Sequence, residues 1–331
     1  MRASPVFKKC LLAVASTLAL AAAVPAKAQD SYPSKPITFI VPYAAGGSSD
    51  TRARQVAQQL GNRLNVPVVV ENKPGASGNI GTAQLARAKP DGYTIGLGNF
   101  APLSVNKSLY GKNLGFDPAK VAPIVLIERG ALVLGVNAQA PYQSASELIA
   151  DGRANPEKLN FASTGAGSAS QLVSEALKQS TGMGATHVPY RGGAPAANDL
   201  MAGNLDFYLE LASLFIPYAQ GDEPRLRLLA VTGDKRLPAL PQVPTFSELG
   251  IKDMVASNWF GVVAPAGTPE DIIERLNKEI NAVLQDPEYR KIVDMQGAEV
   301  AGGTPQEFQA FIDSEAQRWG KLIEANNISI H

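Results

Sequence analysis

The chain has 331 residues, of which 45% are apolar and 18% charged, ordinary globular proportions that exclude a disordered or collagen-like chain. Lys plus Arg and Asp plus Glu both number 30, giving a formal net charge of zero; a nucleic-acid-binding chain would carry a basic excess or a basic stripe, so none is expected as a partner. Length alone suggests about two domains at ~150 residues each.

Arg2, Lys8 and Lys9 form a positive start, residues 10–24 are an uncharged apolar run, and Ala26-Lys27-Ala28 has the A-x-A form of a cleavage site. The pattern predicts a signal peptide over residues 1–28, cut before Gln29. The apolar run of 15 residues is short of the ~20 that span a bilayer, which argues against a membrane anchor. Cleavage would leave 303 residues with 26 basic and 30 acidic side chains, and would remove Cys10, the single cysteine. The mature chain would then hold no disulfide and no thiol nucleophile, and the expected product is a soluble exported protein.

After the leader, short apolar runs alternate with amphipathic ones. Residues 37–41 read as a buried strand, and Ala53, Val56, Ala57, Leu60 and Leu64 fall at helical spacing. Residues 66–70 read as a strand, 76–88 as a helix ended by Pro90-Asp91-Gly92, and 93–97 as a third strand. Two strands are expected at 121–127 and 132–136, then a helix at 144–153, a strand at 159–162 and a helix at 168–179. Strand 187–190, helix 195–202 and strands 205–209 and 226–231 follow. The tail reads as mostly helical, with Thr268-Pro269 and Thr304-Pro305 as helix starts. Strand and helix alternating at this spacing specify an α/β fold with parallel sheets. The two α/β units have no flexible linker between them, which suggests lobes joined by strands that cross between them, with a ligand cleft where the strands end.

Two loops of the same construction could line such a cleft. The first is Pro42-Tyr43-Ala44-Ala45-Gly46-Gly47-Ser48-Ser49-Asp50, between a strand and a helix. The second is Ser163-Thr164-Gly165-Ala166-Gly167-Ser168-Ala169-Ser170-Gln171. Glycines let the backbone approach a ligand, and a helix start offers unpaired N–H groups and partial positive charge to a carboxylate or phosphate. The plain alternative is a capped helix, with Ser48 or Ser49 as N-cap and Asp50 favouring the dipole. Two helix starts closing on one anion is the stronger reading. Four hydrogen bonds to a charged group at ~1.5–3 kcal/mol each, set against association costs of ~4–15 kcal/mol, leave micromolar binding plausible.

Enzyme signatures are scarce. The two histidines are His187, in an apolar run, and His331 at the end, too few for a histidine-rich metal site. Neither a GxSxG elbow nor a phosphate loop ending in Gly-Lys-Ser/Thr is present. No catalytic residue, metal or cofactor is expected.

Ordered motifs along the mature chain carry a family resemblance. They are Tyr32-Pro33-Ser34-Lys35-Pro36-Ile37, the first loop, Val70-Glu71-Asn72-Lys73-Pro74-Gly75-Ala76 and Lys89-Pro90-Asp91-Gly92-Tyr93. His187-Val188-Pro189-Tyr190-Arg191-Gly192, Leu240-Pro241-Gln242-Val243-Pro244-Thr245, Trp259-Phe260-Gly261 and Ala264-Pro265-Ala266-Gly267-Thr268-Pro269 follow. The chain resembles the Bug (TctC-type) extracytoplasmic solute receptors of tripartite tricarboxylate transporters.

The resemblance implies a two-lobed periplasmic-binding-protein fold, type II-like, that closes on a small carboxylate without metal or cofactor. It implies carboxylate capture by backbone groups and waters of Tyr43, Ala44, Ala45, Gly46, Gly47, Ser48 and Asp50, and of Thr164, Gly165, Ala166, Gly167 and Ser168. The far end of the ligand would meet Asn99 and Ala101, then Tyr190, Arg191 and Gly192, and the strand end from Asp206 to Glu210. Two departures stand out: Gln171 where the family often has histidine, and Glu210-Leu211 where Asp-Asn is common. The lobes are expected at 29–127 with 237–331, and at 128–236. Trp259 is expected to report closure by its fluorescence and Trp319 is not. The implied partners are the permease subunits of a tripartite transporter, with the receptor a monomer. A membrane sensor reading the closed form and an exported enzyme on the same fold are the alternatives.

Overall fold

The structure, a computed structural model, describes residues 32–190 and 192–329. The leader, Gln29, Arg191 and His331 therefore lie outside the described residues. By internal contacts the chain divides after Ser34, and all the elements below belong to the unit that begins at Lys35.

The first half is the expected β-α-β-α-β unit: β1 (Ile37–Val41), α1 (Ser48–Leu64), β2 (Val68–Asn72), α2 (Asn79–Ala86) and β3 (Thr94–Asn99). The predicted helical stripe is the buried face of α1, with Ala53, Val56 and Leu60 inaccessible to solvent. β1 lies between β2 and β3 and runs parallel to both. β2 starts two residues later than expected, because Asn65 takes a left-handed C-cap conformation at φ 55° and the chain must turn before pairing. A π-helical turn (Ala101–Val105) and α3 (Asn106–Tyr110) follow β3.

The two strands expected between residues 121 and 136 are one, β4 (Val121–Asn137). Glu128-Arg129-Gly130 looks like a break, yet all three residues stay in the sheet. Glu128 is fully buried and paired with the buried Arg52 of α1, 76 residues away, whose guanidinium also lies over the Phe260 ring at 5.0 Å. Burial pushes the Glu128 carboxyl up, against the lowering effect of Arg52. Gly130 leaves room for Leu211, whose methyl would stand 2.5 Å from any Cβ there.

The second half contains α4 (Ala145–Ala154), β5 (Asn160–Ser163), α5 (Ala169–Thr181), β6 (Thr186–Pro189), α6 (Gly193–Ala202), β7 (Phe207–Leu211), α7 (Ala212–Ala219) and β8 (Leu226–Val231). β5 runs parallel to β6 and β7. The tail adds β9 (Ser257–Pro265), α8 (Glu270–Leu284), α9 (Pro287–Met295), β10 (Ala298–Gly302) and α10 (Pro305–Ala325). Strand order is β2-β1-β3-β9-β4-β7-β5-β6, with β8 and β10 also on β4.

β4 therefore belongs to both halves. Its first part pairs antiparallel with β9 and β10, and its last part pairs antiparallel with β7 and β8. In each half, the loops that leave the carboxyl ends of the parallel strands are the edge at which α/β sheets bind ligands. Leu237, Leu240 and Val243 pack with Val133, Ala162 and Leu200, so the chain still covers the second half beyond residue 237. Among the described residues, no helix is long and apolar enough to cross a membrane.

Candidate functional site

The first loop leaves β1 and enters α1. Residues 44–48 are exposed, whereas Ser49 and Asp50 are buried. The N-cap is Gly47 rather than either serine, and α1 starts with no side-chain cap. Its first-turn N–H groups are left for something else to satisfy. Asp50 does not point forward to cap the helix. Its Oδ2 accepts from the Gly46 N–H at 2.9 Å and from Arg54 Nε at 2.9 Å, while Oδ1 accepts from Asn72 Nδ2 at 2.9 Å. Asn72 Nδ2 also donates to the Tyr43 carbonyl at 3.0 Å. The Arg54 bond above all, with those from Gly46 and Asn72, holds the Asp50 carboxyl down to about 2. Asp50 thus ties the loop together from beneath.

The second loop leaves β5 and enters α5, and this helix supplies its own cap: Ser168 Oγ accepts from the Gln171 N–H at 3.3 Å. Most N–H groups of the loop have internal partners. Thr164 N donates to Ser170 Oγ at 3.1 Å, Gly165 N to Ser163 Oγ at 3.1 Å, Gly167 N to Gln171 Oε1 at 2.8 Å and Ser168 N to the Gly165 carbonyl at 3.2 Å. The Gly165 carbonyl also accepts from Ser168 Oγ at 2.7 Å and so faces the loop interior. Across a trans peptide, the Ala166 N–H then points the opposite way, out of the loop.

Gln171 and His187 complete this scaffold. Gln171 Oε1 is committed to the Gly167 N–H, so its amide nitrogen faces His187 Nδ1 at 3.3 Å. The imidazole therefore carries its proton on Nε2 and donates to Ser163 Oγ at 2.6 Å. It stacks on Phe161 at 5.0 Å. Burial, and secondarily Lys178, pushes its pKa down to about 4. His187 is a neutral wall residue behind the loop.

The structure brings most of the remaining expected residues around these loops. Tyr43 Oη donates to Asn99 Oδ1 at 2.8 Å, and burial pushes its phenol well up. Asn99 and Ala101 are buried at the end of β3. The Tyr190 carbonyl lies beside Gly165, and Tyr190 Oη donates to Asp199 at 2.6 Å. Gly192 is the N-cap of α6, at φ 125°.

Glu210 does not face the cleft as expected. It is buried, accepts from Tyr208 Oη at 2.8 Å and from the Leu211 N–H at 2.9 Å, and takes a further hydrogen bond from Ser170. Burial pushes its carboxyl up, against the lowering effect of these hydrogen bonds and, least, of Arg52. Asp206 departs from the expectation altogether. It precedes β7 and accepts from the Asn160 N–H at 2.7 Å, where β5 begins. It lies four residue steps before Glu210, about 13 Å along the strand, at the end of β7 away from the loops.

One segment at the junction was not expected. The turn after β2 carries Ser77, whose Oγ donates to the Ala166 carbonyl at 3.3 Å. Gly78 lies against Tyr43, so that a Cβ there would stand 2.9 Å from Tyr43 Oη. Through this turn, structure around the first loop touches the second. The signal for it is Pro74-Gly75-Ala76-Ser77-Gly78, a run of small residues bracketed by glycines. A groove of about 680 Å³ lined by Ile40, Ile80, Arg87 and neighbours includes no residue of either loop. Among the described residues, no group of three His, Cys, Asp or Glu could hold a metal ion.

Two α/β halves sharing the strand β4, each presenting a glycine loop and a helix start, define a two-lobed binding-protein architecture. Residues 52–328 match the family described as the tripartite tricarboxylate transporter family receptor, and the chain belongs to it. It is 35% identical to the periplasmic binding protein BugD, with a TM-score of 0.79 over 90% of this chain and 99% of that one. An R. palustris protein solved with adipate is 33% identical, TM-score 0.83, over 90% and 99% of the two chains. MatC from Rhodopseudomonas palustris, solved with bound malate, is 28% identical, TM-score 0.78, over 88% and 100%.

Proposed function

We propose that the mature chain is a periplasmic receptor that captures a small carboxylate between its lobes and hands it to the membrane subunits of a tripartite tricarboxylate-type transporter. It binds without chemistry, cofactor or metal, and acts as a monomer. The observation that carries this reading is the contrast between the two helix starts. α5 is capped by Ser168, whereas α1 starts at Gly47 with no side-chain cap and an exposed approach. A ligand carboxylate is the missing cap: it would take the N–H groups of residues 47–50 on one side and that of Ala166 on the other.

Tyr43 to Ser48 and Thr164 to Ser168 line the captured end. Asn99, Ala101, Tyr190, Arg191 and Gly192 line the other, while Asp50, Gln171 and Glu210 support the loops from behind. We assign the first lobe to residues 29–127 and the tail, and let the second run from 128 to just past Val243, since Leu237, Leu240 and Val243 pack there. The relatives solved with adipate and malate support a di- or hydroxydicarboxylate as ligand. Cleavage before Gln29 follows from the leader.

The test is to purify the mature chain from a periplasmic fraction, denature it and identify the released molecule by mass spectrometry. A small carboxylate at near one equivalent is expected. Release of a cation or a neutral solute, or turnover of the carboxylate by the pure protein, would overturn the proposal.

A further inference from the structure

The turn after β2 has an unusual backbone. φ is 130° at Gly75, 47° at Ala76, 52° at Ser77 and 90° at Gly78. Two of these four residues carry a Cβ, and L-residues hold such angles only where their surroundings enforce them. Here Asn106 does so: its Nδ2 donates to the Ser77 carbonyl at 3.1 Å and to Asn79 Oδ1 at 2.7 Å. Asn106 is inaccessible to solvent, and its Oδ1 accepts no hydrogen bond among the described residues. That oxygen stands 3.4 Å from where a Cβ on Gly167 would be. A buried acceptor and the hydroxyl of the turn thus both face residues 166 and 167.

The grip on the second loop is specific. Ala166 C=O and Gly167 N–H belong to one peptide unit and point opposite ways. Ser77 Oγ holds the oxygen from one side, at 3.3 Å, and Gln171 Oε1 holds the N–H from the other, at 2.8 Å. The residues flanking Ala166 are glycines at φ 122° and 76°, so without such a grip this peptide is the part of the loop freest to rotate.

We infer that residues 75–79 are a third wall of the ligand site and that Ser77 is its positioning residue, fixing the Ala166 peptide so that the neighbouring N–H faces the ligand. The inference rests on the carboxylate reading of the two loops. Glycine would fit φ 52° with less strain than serine, but it cannot hold the Ala166 carbonyl. The strained serine is retained for its hydroxyl.

This gives stability and binding opposite signs. In Ser77→Gly the melting temperature rises, because strain is relieved. Amide hydrogen exchange at residues 166–168 speeds up, and the dissociation rate of malate or adipate rises roughly three- to tenfold, with association unchanged. Ser77→Ala keeps the Cβ and loses the hydroxyl; it shows the same loosening without the gain in melting temperature. A turn that is merely structural would give a different pattern: Ser77→Gly would melt higher while loop exchange and ligand release stayed at wild-type values, and the inference would fall. If the wild-type protein binds neither malate nor adipate, the assignment of a di- or hydroxydicarboxylate ligand fails, and the exchange comparison still decides whether Ser77 positions the loop.

Discussion

The side chains of Asp50 and His187 brace the two loops from behind. Asp50 joins Gly46, Arg54 and Asn72 through one buried carboxylate. Its pKa, at about 2, is below the ordinary value of 3.8. A depressed acid stabilises the fold above its ordinary range, and that contribution is lost as pH falls through about 2. Asp50→Asn must place its NH2 against at least one donor, because both carboxylate oxygens accept hydrogen bonds. It should cost about 1–3 kcal/mol in denaturant unfolding and weaken carboxylate binding, as measured by calorimetry. His187 is depressed from 6.5 to about 4, so its contribution is complete above 6.5 and is lost as pH falls through about 4. Protonated Nδ1 can no longer accept from Gln171, whose other end holds the Gly167 N–H. Binding should therefore be flat near neutrality and decline as pH approaches 4, and His187→Asn should lack that step. The same decline in His187→Asn would clear the histidine of the effect.

At the scale of elements, the uncapped start of α1 makes the sharpest prediction. Gly47 has φ −81° and ψ 173°, a conformation open to any residue, and a Cβ there would only meet the Ala44 carbonyl at 3.7 Å. Strain therefore makes glycine necessary at Gly46 and Gly167, at φ 80° and 76°, and not at Gly47. Gly47→Asp gives α1 its own anionic cap. It should stabilise the fold by a few tenths to about 1 kcal/mol while displacing a carboxylate ligand and cutting affinity more than tenfold. A stabilised variant that binds as before would place the anion elsewhere. Both loops were legible in the sequence because glycine, hydroxyl and helix-start signals are local. What the loops rest on was not. The continuity of β4 depends on Arg52 neutralising Glu128 across 76 residues, and no local pattern carries that pairing. Asp206 and Glu210 look alike as strand-end acids, but only their register in β7 separates the end that meets Asn160 from the end beside Ser170. α7 was hidden by Pro217, which stands inside it.

For the whole molecule, closure must pass through β4, the strand both halves share. Both tryptophans lie on elements outside β4, and Trp259 pairs with Arg129 of that strand. Trp259 Nε1 on β9 and Trp319 Nε1 on α10 donate to the same Glu315 oxygen, at 3.2 and 3.0 Å. Trp319 also meets Phe100 edge-on at 5.3 Å, one residue beyond Asn99. This revises the expectation that Trp259 alone reports. A ligand-dependent fluorescence change should survive Trp259→Phe or Trp319→Phe singly and vanish in the double variant. The central claim is that two loops share one carboxylate. A crystal structure of the mature chain with its co-purified ligand, or with malate where none is recovered, tests it most directly. Carboxylate oxygens are expected about 2.7–3.2 Å from N–H groups of residues 47–50 and from the Ala166 N–H. A ligand anchored instead by a side-chain cation such as Arg191, with both loops empty, would contradict it.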